Sequence, residues 1–428
     1  MAQLSDDCFA FGGDLTPVDE ALAHLAQILV PVTDPESVPL PLACGRILAE
    51  AVSASENVPP YDNSAVDGFA VYFDDLSGDG ETKLPITGRA AAGHPLPHNQ
   101  ARGEAIRIFT GAPMPYGAQG PGVHSQDPDT VLMQEDCRES GNMVVIPPGI
   151  RRGANRRSAG EDVPAGSIVL HPGQRLRPQE IGLAAAIGRS QLLVHAPLRA
   201  AIFSTGDEVR DPGTPRVPGT IYDSNRFTLA ALLQGLGCAV DDLGILPDNR
   251  QAIAAALSAA AAEHDVILTS GGVSTGGEDH VRGAVEDTGS LHFWRLAIKP
   301  GRPVALGQVG RTPFIGLPGN PVAAMVTFLR VARPLVLRLA GSSASAPSLF
   351  QVQAGFSYKK KRNRREYVRV RLETRTPGSH VARKYERDGA GILSSMVFAD
   401  GLVELSEEIT SIDEGDLVDY LPFSEVGL

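Results

Sequence analysis

The chain lacks the cysteine spacing of a metal or disulfide framework. Its four cysteines, Cys8, Cys44, Cys137 and Cys238, are scattered over 428 residues with no C-x-x-C pair. That excludes a zinc ribbon and predicts free thiols in a reducing compartment. Positive charge is also scarce. The formal net charge is −12, and such a surface repels polyanions, which excludes nucleic acid and anionic membranes as general partners. No apolar run is long enough to span a bilayer: the alanine-rich stretch Gln251–Ala262 is short and broken by Ser258. The N-terminal MAQLSDDCFAFGGD is acidic where a secretory leader would be basic and then apolar. These absences predict a cytoplasmic protein. Nor is there a nucleophilic triad, since the ten histidines show no metal-ligand spacing and Ser204 and Ser274 have no identifiable histidine partner.

What is present is ordinary globular composition, 43% hydrophobic and 21% charged, in a chain too long for one core. Thr16-Pro17-Val18-Asp19-Glu20 reads as a capped helix start, followed by an apolar face through Val18, Leu22, Leu25 and Leu29. From Gly68 to Pro147 short apolar runs (FAVYF, KLPITG, AIRIF, TVLMQ, MVVIP) alternate with turn residues and predict a small β domain. It would be inserted into a mixed domain made of residues 14–60 and 148–190, leaving 61–147 as the insert. Residues 191–340 change rhythm. Strands at Arg199–Ser204, Ala239–Leu246 and Asp265–Thr269 alternate with helices at Ser224–Leu236 and Gln251–Glu263. This βαβαβ order predicts a doubly wound parallel sheet of buried apolar strands. Helix Pro321–Leu339, capped by Asn320, closes it. After the linker 341–348 the tail, 345–428, returns to β strands such as YVRVRL and DLVDYLPF.

Acids and glycines fall where the parallel strands should end. The first strand runs into Thr205-Gly206-Asp207-Glu208, the second ends near Asp248, and the third delivers Ser270-Gly271-Gly272-Val273-Ser274 with Asp279 behind it. Glycine-rich turns after a strand let backbone N–H groups close on a phosphate. Here carboxylates follow instead of the usual lysine. That pattern suits a phosphate bridged by Mg²⁺, a hard cation that takes one or two carboxylates plus phosphate oxygens. Cationic groups lie elsewhere: Arg295, Lys299 and Arg302 around AIKPGRPVALG, the run KKKRNRREYVR at 359–369, and Arg151, Arg152, Arg156 and Arg157. Such groups suit tetrahedral oxyanions. Each feature alone also fits solvated turns and faces.

In order along the chain, DNSAVDGFAV, IFTGAPMP, VLMQED, GEDV, FSTGDEV, IYDSN, TSGGVS, LAIKPGRP and GLPGNP resemble the molybdopterin molybdenumtransferases, the MoeA-type proteins that include the E domain of gephyrin. The resemblance covers nearly the whole chain. It implies a multidomain α/β plus β protein: a doubly wound parallel-sheet molybdopterin-binding domain, an inserted small β domain, a mixed linker domain and a C-terminal β-barrel-like domain. It also implies a homodimer with a composite site, a molybdopterin adenylyltransferase as substrate donor, and insertion of molybdate into adenylylated molybdopterin, with Mg²⁺, releasing AMP.

Carried over by motif, the resemblance implies functional roles for Asp67, Thr110, Asp162, Glu208 and Lys299. Ser270 or Ser274, with Gly271 and Gly272, would hold a phosphate. Asp279 with Glu208 or Asp248 would hold the metal. Arg302 and either Arg364 or Arg365 would gather molybdate, and Ser394 or Ser395 completes the set. Arg295 and Arg302 stand where many relatives have lysine, so a planar fork replaces a compact ammonium. Two rivals share parts of the pattern. An adenylyltransferase would consume ATP and needs only the sheet domain; a scaffold would keep the fold without the chemistry, which the intact acids disfavour.

Overall fold

The computed structural model describes residues 17–120, 127–272, 280–301, 303–343, 346–376 and 379–427. They divide into two compact units. The first unit comprises residues up to Glu50, 172–177, and everything from Gln191 onward. Its centre is a six-stranded sheet: β1 (Arg199–Thr205), β2 (Ala239–Leu246), β3 (Val266–Ser270), β4 (Gly289–Arg295), β5 (Pro303–Val309) and β6 (Thr312–Leu317), in the order β2-β1-β3-β6-β5-β4. The first four strands in that order pair in parallel. β5 and β4 then add as an antiparallel extension. Helices α1 (Asn225–Gly235), α2 (Arg250–Glu263) and α3 (His280–Thr288) supply the crossovers, and Asn249 caps α2 by accepting from the N–H groups of Gln251 and Ala252, both at 3.0 Å.

Two sequence expectations need correction. Ala239–Leu246 is a strand but not a buried one: it forms the sheet edge, and none of its residues is fully buried. The expected single helix Pro321–Leu339 is α4 (Pro321–Thr327) and α5 (Arg333–Leu339) joined by a π-turn at Phe328–Ala332. Pro334 explains the break, because it has no N–H to donate to the carbonyl of Arg330 and its ring crowds that group. Asn320 occupies the cap position without a side-chain capping bond.

The helix Val18–Ile28 buries Val18, Ala21 and Leu25 in the same core as α5, as its apolar spacing requires; the cap expected at Thr16 lies outside the described residues. The tail closes into a five-stranded barrel. Its strands β7 (Phe350–Ala354), β8 (Arg365–Thr376), β9 (Ser379–Lys384), β10 (Gly401–Leu405) and β11 (Leu417–Pro422) run β8-β9-β7-β11-β10 and return to β8. The two-residue strand Ile298–Lys299 joins the barrel by pairing in parallel with the start of β8, placing Lys299 opposite Glu366.

The second unit comprises 51–171 and 178–190. Its six-stranded sheet contains Gly68–Val71 between Ala105–Ile108 and Thr130–Met133, around a core of Phe69, Val71, Leu132 and Ile146. The cysteines Cys44, Cys137 and Cys238 are free. Among the described residues no helix is long and apolar enough to cross a membrane.

Candidate functional site

Parallel pairing brings the C-terminal ends of β1, β3 and β6 to one edge of the first unit's sheet, where α/β folds bind ligands. Three sequence motifs are tied together there. The Ser270 hydroxyl donates to the carbonyl of Pro318 at 2.9 Å. The Asn225 side-chain amide donates to Ser270 Oγ at 2.8 Å and to the carbonyl of Gly319 at 2.7 Å. IYDSN, TSGG and LPGNP are therefore one structure. Gly272 has φ +66°, and a Cβ there would come within 2.7 Å of Val281 Cγ2 and 2.9 Å of Thr205 Cγ2, so only glycine fits.

Beside this turn stand two of the expected acids. Thr205 and Leu246 are register partners at the ends of β1 and β2, so Glu208 and Asp248 leave adjacent strands at the same edge. Both are exposed. Asp248 accepts a long bond from the Thr205 hydroxyl at 3.4 Å. Glu208 lines a cleft of about 530 Å³ together with Gly271, Gly272, Asn320, Lys299 and Arg369.

The opposite wall of that cleft comes from the barrel junction and carries Lys299 and Arg369 together with Glu366 and Asp388. Glu366 is 1% exposed, yet both its oxygens are used. Oε1 accepts from Arg364 Nε at 3.1 Å, with a second Arg364 N–H on the same atom. Oε2 accepts from Lys299 Nζ at 3.0 Å and from the Tyr358 hydroxyl at 2.8 Å. Burial opposes the charge on Glu366, but Arg364, Lys299 and Tyr358 together hold its pKa below the usual glutamate value. Burial likewise opposes the charge on Lys299, but Glu366 and Tyr358 together outweigh it and hold its pKa above the usual lysine value.

Arg369 completes the wall. It is buried, with Nε donating to Ser395 Oγ at 3.1 Å and one terminal nitrogen donating to the carbonyls of Arg387 and Gly389, both at 3.3 Å. Desolvation lowers its pKa, and the charge of Asp388, which lines the same cleft, offsets this only in part. A guanidinium set into a cleft wall and bonded there only to a hydroxyl and carbonyls is suited to receive an anion.

The alternatives in the basic run separate clearly. Arg364 faces Glu366, whereas Arg365 is held away from it by Asp19 at 2.8 Å, Glu404 at 2.8 Å and Glu407 at 3.0 Å. Ser395 is buried against Arg369; Ser394 is exposed, its hydroxyl 3.4 Å from that of Tyr385. Ser274, Asp279 and Arg302 lie outside the described residues, as does the side chain of Arg295.

In the second unit, Gly68 pairs with Ile108, which brings the preceding Asp67 beside Thr110. Asp67 Oδ1 accepts from both the backbone N–H and the hydroxyl of Thr110, each at 2.8 Å. Those bonds, the backbone one foremost, lower the pKa of Asp67 below the usual aspartate value. Glycine is required next to it, because a Cβ on Gly68 would lie 1.7 Å from the carbonyl oxygen of Leu132. Asp162 is exposed on a neighbouring loop, its N–H bonded to the carbonyl of Val58 at 3.0 Å.

Known proteins match the chain over most of its length. Residues 16–188 match the MoeA N-terminal region (domains I and II), 201–338 a probable molybdopterin-binding domain, and 351–423 the MoeA C-terminal region (domain IV). A molybdopterin molybdenumtransferase of Haemophilus influenzae is 35% identical over 414 residues, covering 96% of this chain and 99% of that one. The chain belongs to the molybdopterin molybdenumtransferase family. A molybdopterin molybdenumtransferase 2 of Mycobacterium tuberculosis is 34% identical, covering 89% of this chain and 93% of its own. The crystal structure of a molybdopterin biosynthesis MoeA protein from Pyrococcus horikoshii superposes with a TM-score of 0.80 at 26% identity, covering 95% of this chain and 99% of that one.

Within this molybdenumtransferase fold, sequence reasoning missed Arg369, Glu366 and Tyr358. Arg369 is the last residue of the basic run KKKRNRREYVR, and period-two alternation along YVRVR was the available signal. Alternation could place Arg369 on one face of β8 but could not say that this face meets the cleft.

Proposed function

We propose that the cleft of the first unit is the site at which molybdate is inserted into adenylylated molybdopterin, with release of AMP. The observation that carries this reading is the opposition of two chemically distinct walls in one cleft of about 530 Å³. One wall is the glycine turn Gly271–Gly272, held in place by the bonds of Ser270, where the backbone can close on a nucleotide-linked phosphate. The other carries Lys299 and Arg369, with Arg364 bonded to Glu366, and suits a tetrahedral dianion such as molybdate. Sulfate has much the same shape and charge, so selectivity rests on the pterin dithiolene, whose soft sulfurs ligate molybdenum.

The donor set fits Mg²⁺. Glu208 and Asp248 are accessible oxygen donors at one sheet edge, and a hard dication needs one or two such carboxylates alongside substrate oxygens and water. When bound, the ion would neutralise charge on the phosphate oxygens. The chain's own residues bind and orient: the Ser270 loop fixes the phosphate, while Lys299 and Arg369 hold the incoming oxyanion, so catalysis is positioning and electrostatic stabilisation. Asp279, Ser274 and Arg302 belong to the same reading by motif. Asp67, Thr110, Asp162 and the homodimer are proposed on the family resemblance alone, as are a molybdopterin adenylyltransferase as donor and a cytoplasmic location.

The test is AMP release and molybdenum incorporation by the purified chain given adenylylated molybdopterin and molybdate, with and without Mg²⁺ and without ATP. Turnover under these conditions supports the proposal. A strict requirement for ATP would point to an adenylyltransferase, and no turnover at all to a scaffold.

A further inference from the structure

We infer that Glu366 is a positioning residue of this site: it fixes the ammonium of Lys299 at the cleft wall in the orientation that receives the oxyanion. The inference rests on the reading of the cleft as an oxyanion site, and goes beyond it by giving a buried anion a role in binding another anion.

A carboxylate among cations meant for an anionic substrate is at first sight counterproductive, because it competes for them. Geometry gives the reason for it. Lys299 ends in a flexible four-carbon stem, and its side chain is 48% exposed. Left alone, the ammonium would sample many positions, and binding would have to order it. Glu366 does not move in that way. Its backbone is paired on one side with Lys299 and on the other with Leu405 of β10, and its side chain is enclosed. The Lys299 ammonium has three N–H groups. One goes to Glu366 at 3.0 Å and one to the Tyr358 hydroxyl at 3.3 Å, which leaves the third for a ligand in the cleft that Lys299 lines. With Arg364 on the other oxygen, two cations and one carboxylate leave the cluster one net positive charge. It attracts an anion without a full dication having to be buried.

The groups that face Lys299 are Glu366 and Tyr358 from the barrel, Arg369 and Asp388 along the cleft wall, and Glu208 from the sheet edge; Lys384 adds a second ammonium over the Tyr358 ring at 5.9 Å. Of these, only Glu366 is a carboxylate in contact with the ammonium. Its removal should therefore dominate any change in the titration of Lys299.

The experiment uses the full chain. Lys299 is titrated by NMR of the isotope-labelled lysine side chains, its signal assigned by its loss in Lys299→Ala, and the molybdate concentration for half-maximal activity is measured against pH. In Glu366→Gln the Lys299 pKa should fall by about one unit or more, and the alkaline rise in half-saturating molybdate should begin lower by a similar amount. Glu366→Asp keeps the charge and should stay near wild type in both. A general packing defect would not move the two readouts together. An unmoved Lys299 titration in a folded Glu366→Gln, or a moved titration with an unmoved molybdate limb, would overturn the assignment. Absence of molybdate turnover by the wild-type chain would instead overturn the reading of the cleft, and this inference with it.

Discussion

Arg369 donates its Nε–H to the Ser395 hydroxyl oxygen at 3.1 Å, and the Ser395 hydroxyl in turn donates to the carbonyl of Ile392 at 2.6 Å. The guanidinium is thereby clamped, and Arg369 lines the cleft. Arg369→Gln should raise half-saturating molybdate by about tenfold or more, since a charge-assisted hydrogen bond is worth about 1.5–3 kcal/mol. Binding of adenylylated molybdopterin should change little. Steady-state kinetics with each substrate varied in turn checks this, and an equal loss for both would place Arg369 in general packing.

Lys299→Ala should likewise raise the molybdate requirement while sparing affinity for the pterin. Sulfate should compete with molybdate in the wild type and lose potency in the variant. A variant that bound pterin poorly but kept its molybdate dependence would reverse the two subsites.

Gly272→Ala addresses the other wall. Its positive φ and the contacts with Val281 and Thr205 leave no room for a methyl group. The variant should lose about 2 kcal/mol of stability in chemical denaturation, together with affinity for adenylylated molybdopterin. Wild-type stability would mean that the turn can relax.

Arg226 predicts a structural outcome. It is buried among Asp223, Asp211 and Asp242, with Asp223 itself 5% exposed. Arg226→Met strands the Asp223 carboxylate and should cost about 3–5 kcal/mol. Adding Asp223→Leu should recover part of the loss, as measured by urea unfolding midpoints.

Asp67 gives a pH prediction. Its pKa is lowered in the folded chain by the N–H and hydroxyl of Thr110. The associated stability is fully present above the ordinary aspartate pKa of about 3.9 and is lost as pH falls through the lower folded value. Thr110→Val removes the hydroxyl donor, so the Asp67 carboxyl should titrate at higher pH by NMR. An unchanged titration would show that the backbone N–H alone sets the shift.

The βαβαβ alternation that carries β1, β2 and β3, the acids after β1 and β2 and the glycine turn after β3 were legible in the sequence, because they follow from local periodicity and turn chemistry. Strands β4, β5 and β6 and their place in the sheet were not. Glu208, Asp248 and Ser270 could be placed near strand ends in advance, whereas Lys299 was singled out by the family resemblance. The choice within KKKRNRREYVR could not be made that way. Arg364, Arg365 and Arg369 are chemically alike, and what separates them is which face of β8 each occupies and which carboxylates wait there. Arg365 is held by acids from the first helix and the barrel, Arg364 by Glu366, and Arg369 by a hydroxyl and carbonyls alone. The parallel pairing of Ile298–Lys299 with Arg365–Glu366 brings Lys299 to this run. The sequence by itself determined the kinds of group available and the local turns that carry them. Tertiary structure decided which charges cancel inside the protein and which remain for a substrate, because that depends on contacts between residues far apart in the chain.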